Sequence, residues 1–288
     1  MKFSIKRKIL QFISFVLINP YLGNLGTGTL YKGKWKNFCS PGLNCYSCPA
    51  ATFACPIGAM QAVNGSKDFK LSFYVVGTLA AFGILLGRAV CGFLCPFGLL
   101  QELLHKIPTP KFKLRKEFKY IKYIMLFVVV GSLPLLITNS MGMGDPFFCK
   151  FVCPAGTLEG GIPLLLTHAE IRNMAGGVLI LKLIILALVV IGCVFIMRFF
   201  CKMLCPLGAF YGFFNKISLV RLETDSALCV SCGKCGRECP MDVNPAVNPN
   251  SMECIRCGKC VNGCGQNAIS WARPTGKTKL EKCEQNYT

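Results

Sequence analysis

Acidic residues are scarce in this chain: 13 Asp and Glu stand against 32 Lys and Arg in 288 residues. Only 16% of the chain is charged and 53% is hydrophobic, whereas an ordinary soluble domain is nearer ~25% charged. That balance argues against a water-soluble globular enzyme and makes the bilayer the first environment to consider. Histidine is almost missing. His105 and His168 fall on opposite faces of the topology derived below, which argues against a bis-histidine haem inside a bundle. Either is an interfacial residue or a hydrogen-bonding partner for a quinone headgroup. Ser-His-Asp, HExxH and P-loop patterns are absent as well. The formal charge of +19 lacks the basic stripe with interleaved aromatics of a nucleic-acid module, so no nucleic-acid partner is expected.

Long uncharged runs are present. Lys8 to Lys32 encloses 23 uncharged residues, Lys70 to Arg88 encloses 17, Lys122 to Asp145 encloses 22, and Asn173 to Met197 is interrupted only by Lys182. Crossing hydrocarbon takes ~20. Four spans are therefore expected, at roughly 9–29, 71–88, 120–139 and 175–198. The start, "MKFSIKRK", resembles a signal-peptide n-region, but no small-x-small site follows, so the first span is expected to stay as an anchor. With the N-terminus in the cytoplasm, four crossings return the C-terminus there. Lys and Arg then number 4 at the N-terminus, 8 in residues 88–122 and 12 from Arg198 onward on the inner side, as the positive-inside rule requires. Lys182 is the one charge within a span, a candidate for tuning a buried site or for snorkelling to the interface.

Twenty cysteines make this either a disulfide-rich or a metal protein. The spacing decides. Residues 229–240, "CVSCGKCGRECP", and 254–264, "CIRCGKCVNGC", both read C-x2-C-x2-C-x3-C. This is the bacterial ferredoxin run, in which three close cysteines hold one 4Fe-4S cube and the fourth serves the other. Cys229, Cys232, Cys235 and Cys264 are assigned to one cluster, and Cys254, Cys257, Cys260 and Cys239 to the second. A pair of four-cysteine zinc sites is the alternative, but such sites usually set their two halves farther apart. Gly265 stands where a second Pro would follow.

Cys-Pro-x-Gly occurs four times before the ferredoxin run, at Cys55, Cys95, Cys153 and Cys205. Three have a cysteine four residues earlier: Cys91, Cys149 and Cys201. Cysteines at i and i+4 share a helix face, the following Pro ends or bends that helix, and the Gly allows close backbone approach. The topology sorts them by side. Cys91, Cys95, Cys201 and Cys205 form an inner set of four ligands, as one cube needs, and Cys48, Cys55, Cys149 and Cys153 an outer set. Cys39 and Cys45 are alternative outer ligands, with Cys48 and Cys55, or a disulfide. The alternative to the inner site is helix-packing thiols. Arg88 and Arg198 precede the inner pairs identically and would offset the negative charge of thiolate-ligated iron. Cys193 reads as a packing thiol and Cys283 as a free one.

The stretch "CSPGLNCYSCPAATFACPIGAMQ", the paired "CGFLCPFG" and "CKMLCPLG" segments and the ferredoxin repeat resemble the membrane polyferredoxins of the NapH and NosR type. The resemblance implies four or more spans, cytoplasmic iron-sulfur centres, and passage of electrons between a quinol pool or cytoplasmic donor and a partner beyond the membrane. It carries Cys91, Cys95, Cys201 and Cys205 onto the family's paired motif and the eight ferredoxin cysteines onto its cluster domain. NosR's extracytoplasmic flavin-binding domain has no counterpart here, so flavin is expected only through a partner.

The expected protein is an α-helical integral membrane protein: four transmembrane helices with broken, re-entrant Cys-Pro segments, followed by a small α+β ferredoxin-like domain. Its divisions are a membrane domain over 1–217, a dicluster domain over 218–272 and a polar tail over 273–288. The segments 99–107 and 207–217 are read as interfacial helices that cover the inner cluster and dock the ferredoxin domain. Three to four 4Fe-4S clusters, with quinone as a further candidate, would relay electrons at the cytoplasmic membrane of a prokaryote between a quinol or cytoplasmic donor and an extracytoplasmic redox partner. Such a chain is an electron-transfer component, for example a quinol dehydrogenase subunit. A redox sensor or metalloenzyme maturation factor using the same clusters is the alternative.

Overall fold

The computed structural model describes residues 2–66, 72–138, 144–173 and 176–272. Cys283, the tail expected over 273–288, and the edges of the expected spans at 71, 139 and 175 lie outside the described residues. The helices relevant to the site are α1 (Lys2–Ile18), α2 (Pro56–Asn64), α3 (Ser72–Leu86), α4 (Ala89–Phe93) and α5 (Pro96–Leu104). They continue with α6 (Glu117–Leu136), α7 (Phe148–Val152), α8 over 154–167, α9 (Gly177–Phe195), α10 (Phe199–Met203) and α11 (Pro206–Phe214).

Among the described residues, α6 and α9 are long and apolar enough to cross a membrane. The expected first span of 9–29 is not one helix. Pro20 has no N–H and disfavours helix at the residue before it, so α1 stops at Ile18, where the Asn19 side-chain amide donates back to Phe15 O (3.2 Å). α3 matches the expected second span but has only 15 residues. Among the described residues, two full-length apolar helices and one shorter one, within α3, thus stand where four spans are expected.

The exteriors of these helices are apolar, and on α1 the interior is polar and charged. On α1 the buried stripe is Arg7, Gln11, Ser14 and Ile18, while Ile9, Phe12, Ile13, Val16 and Leu17 are exposed. Exposed Ile180, Ile184, Leu188 and Ile191 mark α9 in the same way. This inverts the order of a water-soluble domain, where apolar patches of that extent are costly. Within α6 the turns widen to five-residue hydrogen bonding over Met125–Ser132. Pro134 follows directly, and its missing donor and ring clash disfavour ordinary α-turns there.

A repeat organises the chain. α3, α4 and α5 run as long apolar helix, short cysteine-bearing helix and Cys-Pro helix, and α9, α10 and α11 run the same way. Residues 38–55 do not form a separate outer lobe. They turn inward, with Tyr211 on α11 donating its hydroxyl to Pro41 O (2.9 Å) and Gly42 lying against the backbone of Cys95, so closely that a Cβ there would sit 3.0 Å from Cys95 Cα.

The ferredoxin portion is small. β1 (Arg221–Thr224) pairs antiparallel with β2 (Ile269–Ala272), Leu222 opposite Trp271. Between them lie the turns α12 (Lys234–Arg237) and α13 (Lys259–Gly263). Ser231 and Arg256, in equivalent places of the two cysteine runs, both have positive φ (53° and 52°), and Gly233 (67°) and Gly258 (70°) follow them. Two left-handed residues, one on each side of the second cysteine, curl each run around a centre, a conformation that glycine tolerates at the second position.

Candidate metal centres

The three Cys-x3-Cys-Pro segments are built by one local rule. The helix carrying the first cysteine ends in a widened turn: Cys95 N–H donates to Val90 O (3.2 Å), Cys153 to Phe148 O (2.8 Å) and Cys205 to Phe200 O (3.0 Å). The second cysteine then becomes extended, with ψ of 115°, 108° and 108° at these residues, and caps the helix that Pro begins. Pro at the first helical position loses nothing, because that N–H would be unpaired anyway. The Gly three residues on points its N–H at the capping sulfur: Gly156 to Cys153 Sγ (3.3 Å) and Gly208 to Cys205 Sγ (3.4 Å). A helix N-terminus favours the anionic form of a thiol. The i, i+4 reading is therefore only half of the geometry, since the second cysteine belongs to the next helix.

The inner four are brought together. Cys91, Cys95, Cys201 and Cys205 are all buried. Burial, reinforced by the neighbouring Cys201, pushes the Cys95 and Cys205 thiols up; at Cys91 the rise from burial is opposed by Arg88 and Arg198. Both arginines are fully buried and each crosses to the opposite half of the repeat. Arg198 Nη1 donates to Cys91 O (2.9 Å), and Arg88 Nη2 donates to Cys201 O (3.4 Å). Arg198 holds a left-handed backbone, φ 54° and ψ 43°, a strained state for a non-glycine residue.

Acidic partners that spacing did not reveal neutralise these arginines. Glu102 on α5 accepts from Arg198 Nε (2.9 Å) and Nη2 (2.7 Å), and from Arg7 of α1. Burial alone would raise its carboxyl, but Arg198 and Arg7 hold it at about 2. Glu253, in the ferredoxin portion, accepts from Arg88 Nη1 (3.0 Å) and pairs with Lys122. Burial raises its carboxyl too, yet Arg88 and Lys122 hold it below the ordinary range. With so few acids in the chain, an acid within an apolar helix end was the available signal at Glu102.

Among the outer cysteines, Cys45 and Cys48 line different cavities. A cavity of about 220 Å³ is lined by Cys45, Cys55, Cys149 and Cys153, with Lys182 of α9 in its wall. Glycines shape it: a Cβ on Gly160 would press Cys45 Sγ at 3.2 Å, and one on Gly156 would meet Cys153 Sγ at 3.7 Å. Cys48 faces a different cavity with Phe15, Asn19 and Phe97. The two lie in one turn, Cys48 N–H bonding Cys45 O (3.2 Å), so their side chains diverge. Cys39 and Cys45 are both free thiols, not a disulfide. Cys39 pairs in a bridge with Ala54, and burial together with Cys55 pushes its thiol up to about 11. Glu159 accepts from Cys45 N–H (2.8 Å), and burial pushes its carboxyl to about 7.

Around the ferredoxin runs, one cavity is lined by Cys229, Cys232, Cys235 and Cys264 and another by Cys239, Cys254, Cys257 and Cys260. These are the groupings that the spacing gives. The second is locked onto the membrane half: Arg256 donates to Leu86 O (3.1 Å), Asn215 O (2.6 Å) and Ser218 Oγ (2.5 Å), and Asn215 Nδ2 to Cys254 O (2.7 Å). Lys202 pairs with Asp242 across the same seam. Docking uses α11 and its C-terminal turn together with Arg88, Gly92 and Lys202, while α5 carries Glu102, which pairs with Arg7 and Arg198. His105 contacts Cys193 O (3.3 Å) and His168 contacts Gly28 O (3.4 Å), in separate places. Among the described residues no group of three or more His, Cys, Asp or Glu side chains converges closely enough for a single ion.

A 4Fe-4S binding domain family model matches residues 69–115, 124–162 and 178–223, taking in the three Cys-x3-Cys-Pro segments. An uncharacterized protein of Methanocaldococcus jannaschii is 32% identical over 213 residues, 72% of this chain and 79% of that one. The chain belongs to the membrane polyferredoxins of the NapH and NosR type. The methylamine utilization ferredoxin-type protein MauN of Methylorubrum extorquens is 29% identical over 68% of this polyferredoxin and 59% of its own length. Regulatory protein NosR of Pseudomonas aeruginosa is 30% identical over 62% of this chain, which spans 23% of NosR. No solved structure matches this polyferredoxin. It is a member of an iron-sulfur electron-transport family.

Proposed function

We propose that this polyferredoxin relays single electrons along four 4Fe-4S centres, from the ferredoxin portion into the membrane-embedded half. The carrying observation is that cysteines from three of the four groups share one continuous core. Cys55, Cys91, Cys95, Cys153, Cys205 and Cys257 belong to a single buried core, with Cys39, Cys149 and Cys239 packed against it. The residues fit cubes better than single ions. Zinc needs four sulfurs ~2.3 Å from one point, while three of these groups line cavities, one of about 220 Å³ with glycines at its walls. When bound, the clusters supply one-electron chemistry, and the chain supplies thiolates, spacing and charge.

In this reading Cys229, Cys232, Cys235 and Cys264 hold the distal centre, and Cys239, Cys254, Cys257 and Cys260 the docked one. Cys91, Cys95, Cys201 and Cys205 hold the inner centre, braced by Arg88 and Arg198. Cys45, Cys55, Cys149 and Cys153 hold the outer one, facing Lys182. Tyr211 and residues 39–42 link the last two, so they are not separated by a full ~30 Å of hydrocarbon. The inverted burial of α1 and the exposed apolar residues of α3, α6 and α9 support these four as the helices facing lipid. A quinone or a cytoplasmic reductant at one end and an extracytoplasmic acceptor at the other complete the proposal.

Iron and sulfide analysis with electron paramagnetic resonance on the anaerobically purified chain tests it. About four 4Fe-4S centres are expected, and fewer than three would overturn the relay. Cys205→Ser is expected to remove one centre and leave both ferredoxin signals.

A further inference from the structure

Six residues after the cysteine of each Cys-Pro-x-Gly stand Gln61, Gln101, Glu159 and Tyr211. The two glutamines do the same thing at two different places. Gln61, fully buried, donates Nε2 to Cys149 Sγ (3.2 Å) and Ile57 O (3.3 Å) and accepts from Phe148 N–H at Oε1 (2.8 Å). Gln101, also buried, donates Nε2 to Cys201 Sγ (3.0 Å) and Phe97 O (3.3 Å). Its Oε1 takes Cys201 N–H (3.4 Å) and the Cys193 thiol (3.6 Å).

The amide orientation follows from chemistry. A backbone N–H can only donate, so the carbonyl oxygen must face it, and the NH2 is left to face sulfur. Both glutamines reach across the repeat to the first cysteine of the opposing pair. A general packing role would not turn the amide NH2 to both a cysteine sulfur and the helix carbonyl four residues back at two sites whose neighbours differ.

We propose that Gln61 and Gln101 are positioning residues that each fix one cysteine ligand of a membrane-half centre through an N–H···S bond and thereby set that centre's reduction potential. The inference rests on the reading of Cys149 and Cys201 as cluster ligands. Reduction adds an electron to a thiolate-ligated group, and a donor on its sulfur stabilises the more negative state. Each glutamine therefore raises the potential of its own centre. Glu159 and Tyr211 cannot substitute: the first accepts from Cys45 N–H and the second donates to Pro41 O.

The test is a redox titration of the full anaerobic chain followed by electron paramagnetic resonance, with resonance Raman of the iron–thiolate stretches. Gln101→Met is expected to shift to lower potential only the centre that Cys205→Ser removes, and Gln61→Met only the centre that Cys153→Ser removes. One iron–thiolate band should move with each. Gln101→Glu and Gln61→Glu keep the carbonyl acceptor but lose the amide donor, and should shift the same way if methionine empties the site. Full cluster content with unchanged potentials overturns the inference and leaves the relay standing. Loss of the centre in both variants of a glutamine assigns it a purely structural role and overturns the inference too. Fewer than three centres in the unaltered chain overturns the relay, and this inference with it.

Discussion

Glu102 is the residue on which the inner site turns mechanically. One buried carboxylate pairs with two buried guanidiniums from different helices, Arg7 and Arg198, and Arg198 in turn holds the Cys91 carbonyl. Removing one member of a buried ionic set typically costs about 3–5 kcal/mol, because the remaining charge is stranded. Glu102→Gln is expected to lower the midpoint of thermal unfolding in detergent and to loosen the inner centre. The sign with pH is definite. The folded carboxyl sits at about 2, below the ordinary 4.5, so its contribution is complete above the unfolded value and fades as pH falls from there toward 2. Acid titration of intrinsic fluorescence should therefore show a flatter limb in the variant over that window. Cys45 and Cys48 provide the second residue-level outcome. Cys45→Ser is expected to abolish the outer centre by iron analysis and Cys48→Ser to retain it, since only Cys45 faces the cavity shared with Cys55, Cys149 and Cys153.

At the scale of elements, the recurring unit is widened turn, capping cysteine, Pro and Gly. It turns a sequence repeat into a pair of sulfurs presented from two successive helices. The ferredoxin portion meets this unit at Gly92, where an added Cβ would lie 2.5 Å from Ile255 O, backbone that cannot simply rotate away. Gly92→Ala is therefore expected to weaken docking by about 1–3 kcal/mol, the usual range for overpacking. Hydrogen exchange over residues 251–256 should rise, while α6 and α9 remain protected. Much of this element was legible in advance: the four Cys-Pro-x-Gly sites and the paired Arg-x2-Cys are plain in the chain. The helix ends were less so. Asn19 and Pro20 stop α1, but a hydropathy run alone extends it to 29, because apolar loop residues and apolar helix residues count alike.

Across the whole molecule, charge is inside and apolar surface outside in the helical half, while the ferredoxin half has little beyond two four-residue strands and short turns. A portion with so small a core takes its stability from bound metal. Anaerobic removal of iron by a chelator is expected to abolish exchange protection between β1 and β2 while leaving α9 protected. Mass-resolved hydrogen exchange reads both segments in one experiment.

The sequence by itself determined the chemistry. Thiol spacing of two, two and three residues is a local property of the chain, and so are the apolar runs and the charge asymmetry around them. Tertiary structure decided which cysteines meet. Cys45 and Cys48 are three residues apart and equivalent by spacing, yet one turn points them into different cavities. Glu102, Glu253, Gln61 and Gln101 act on partners 85 or more residues away, and no local pattern encodes a contact that only the folding of one half onto the other creates.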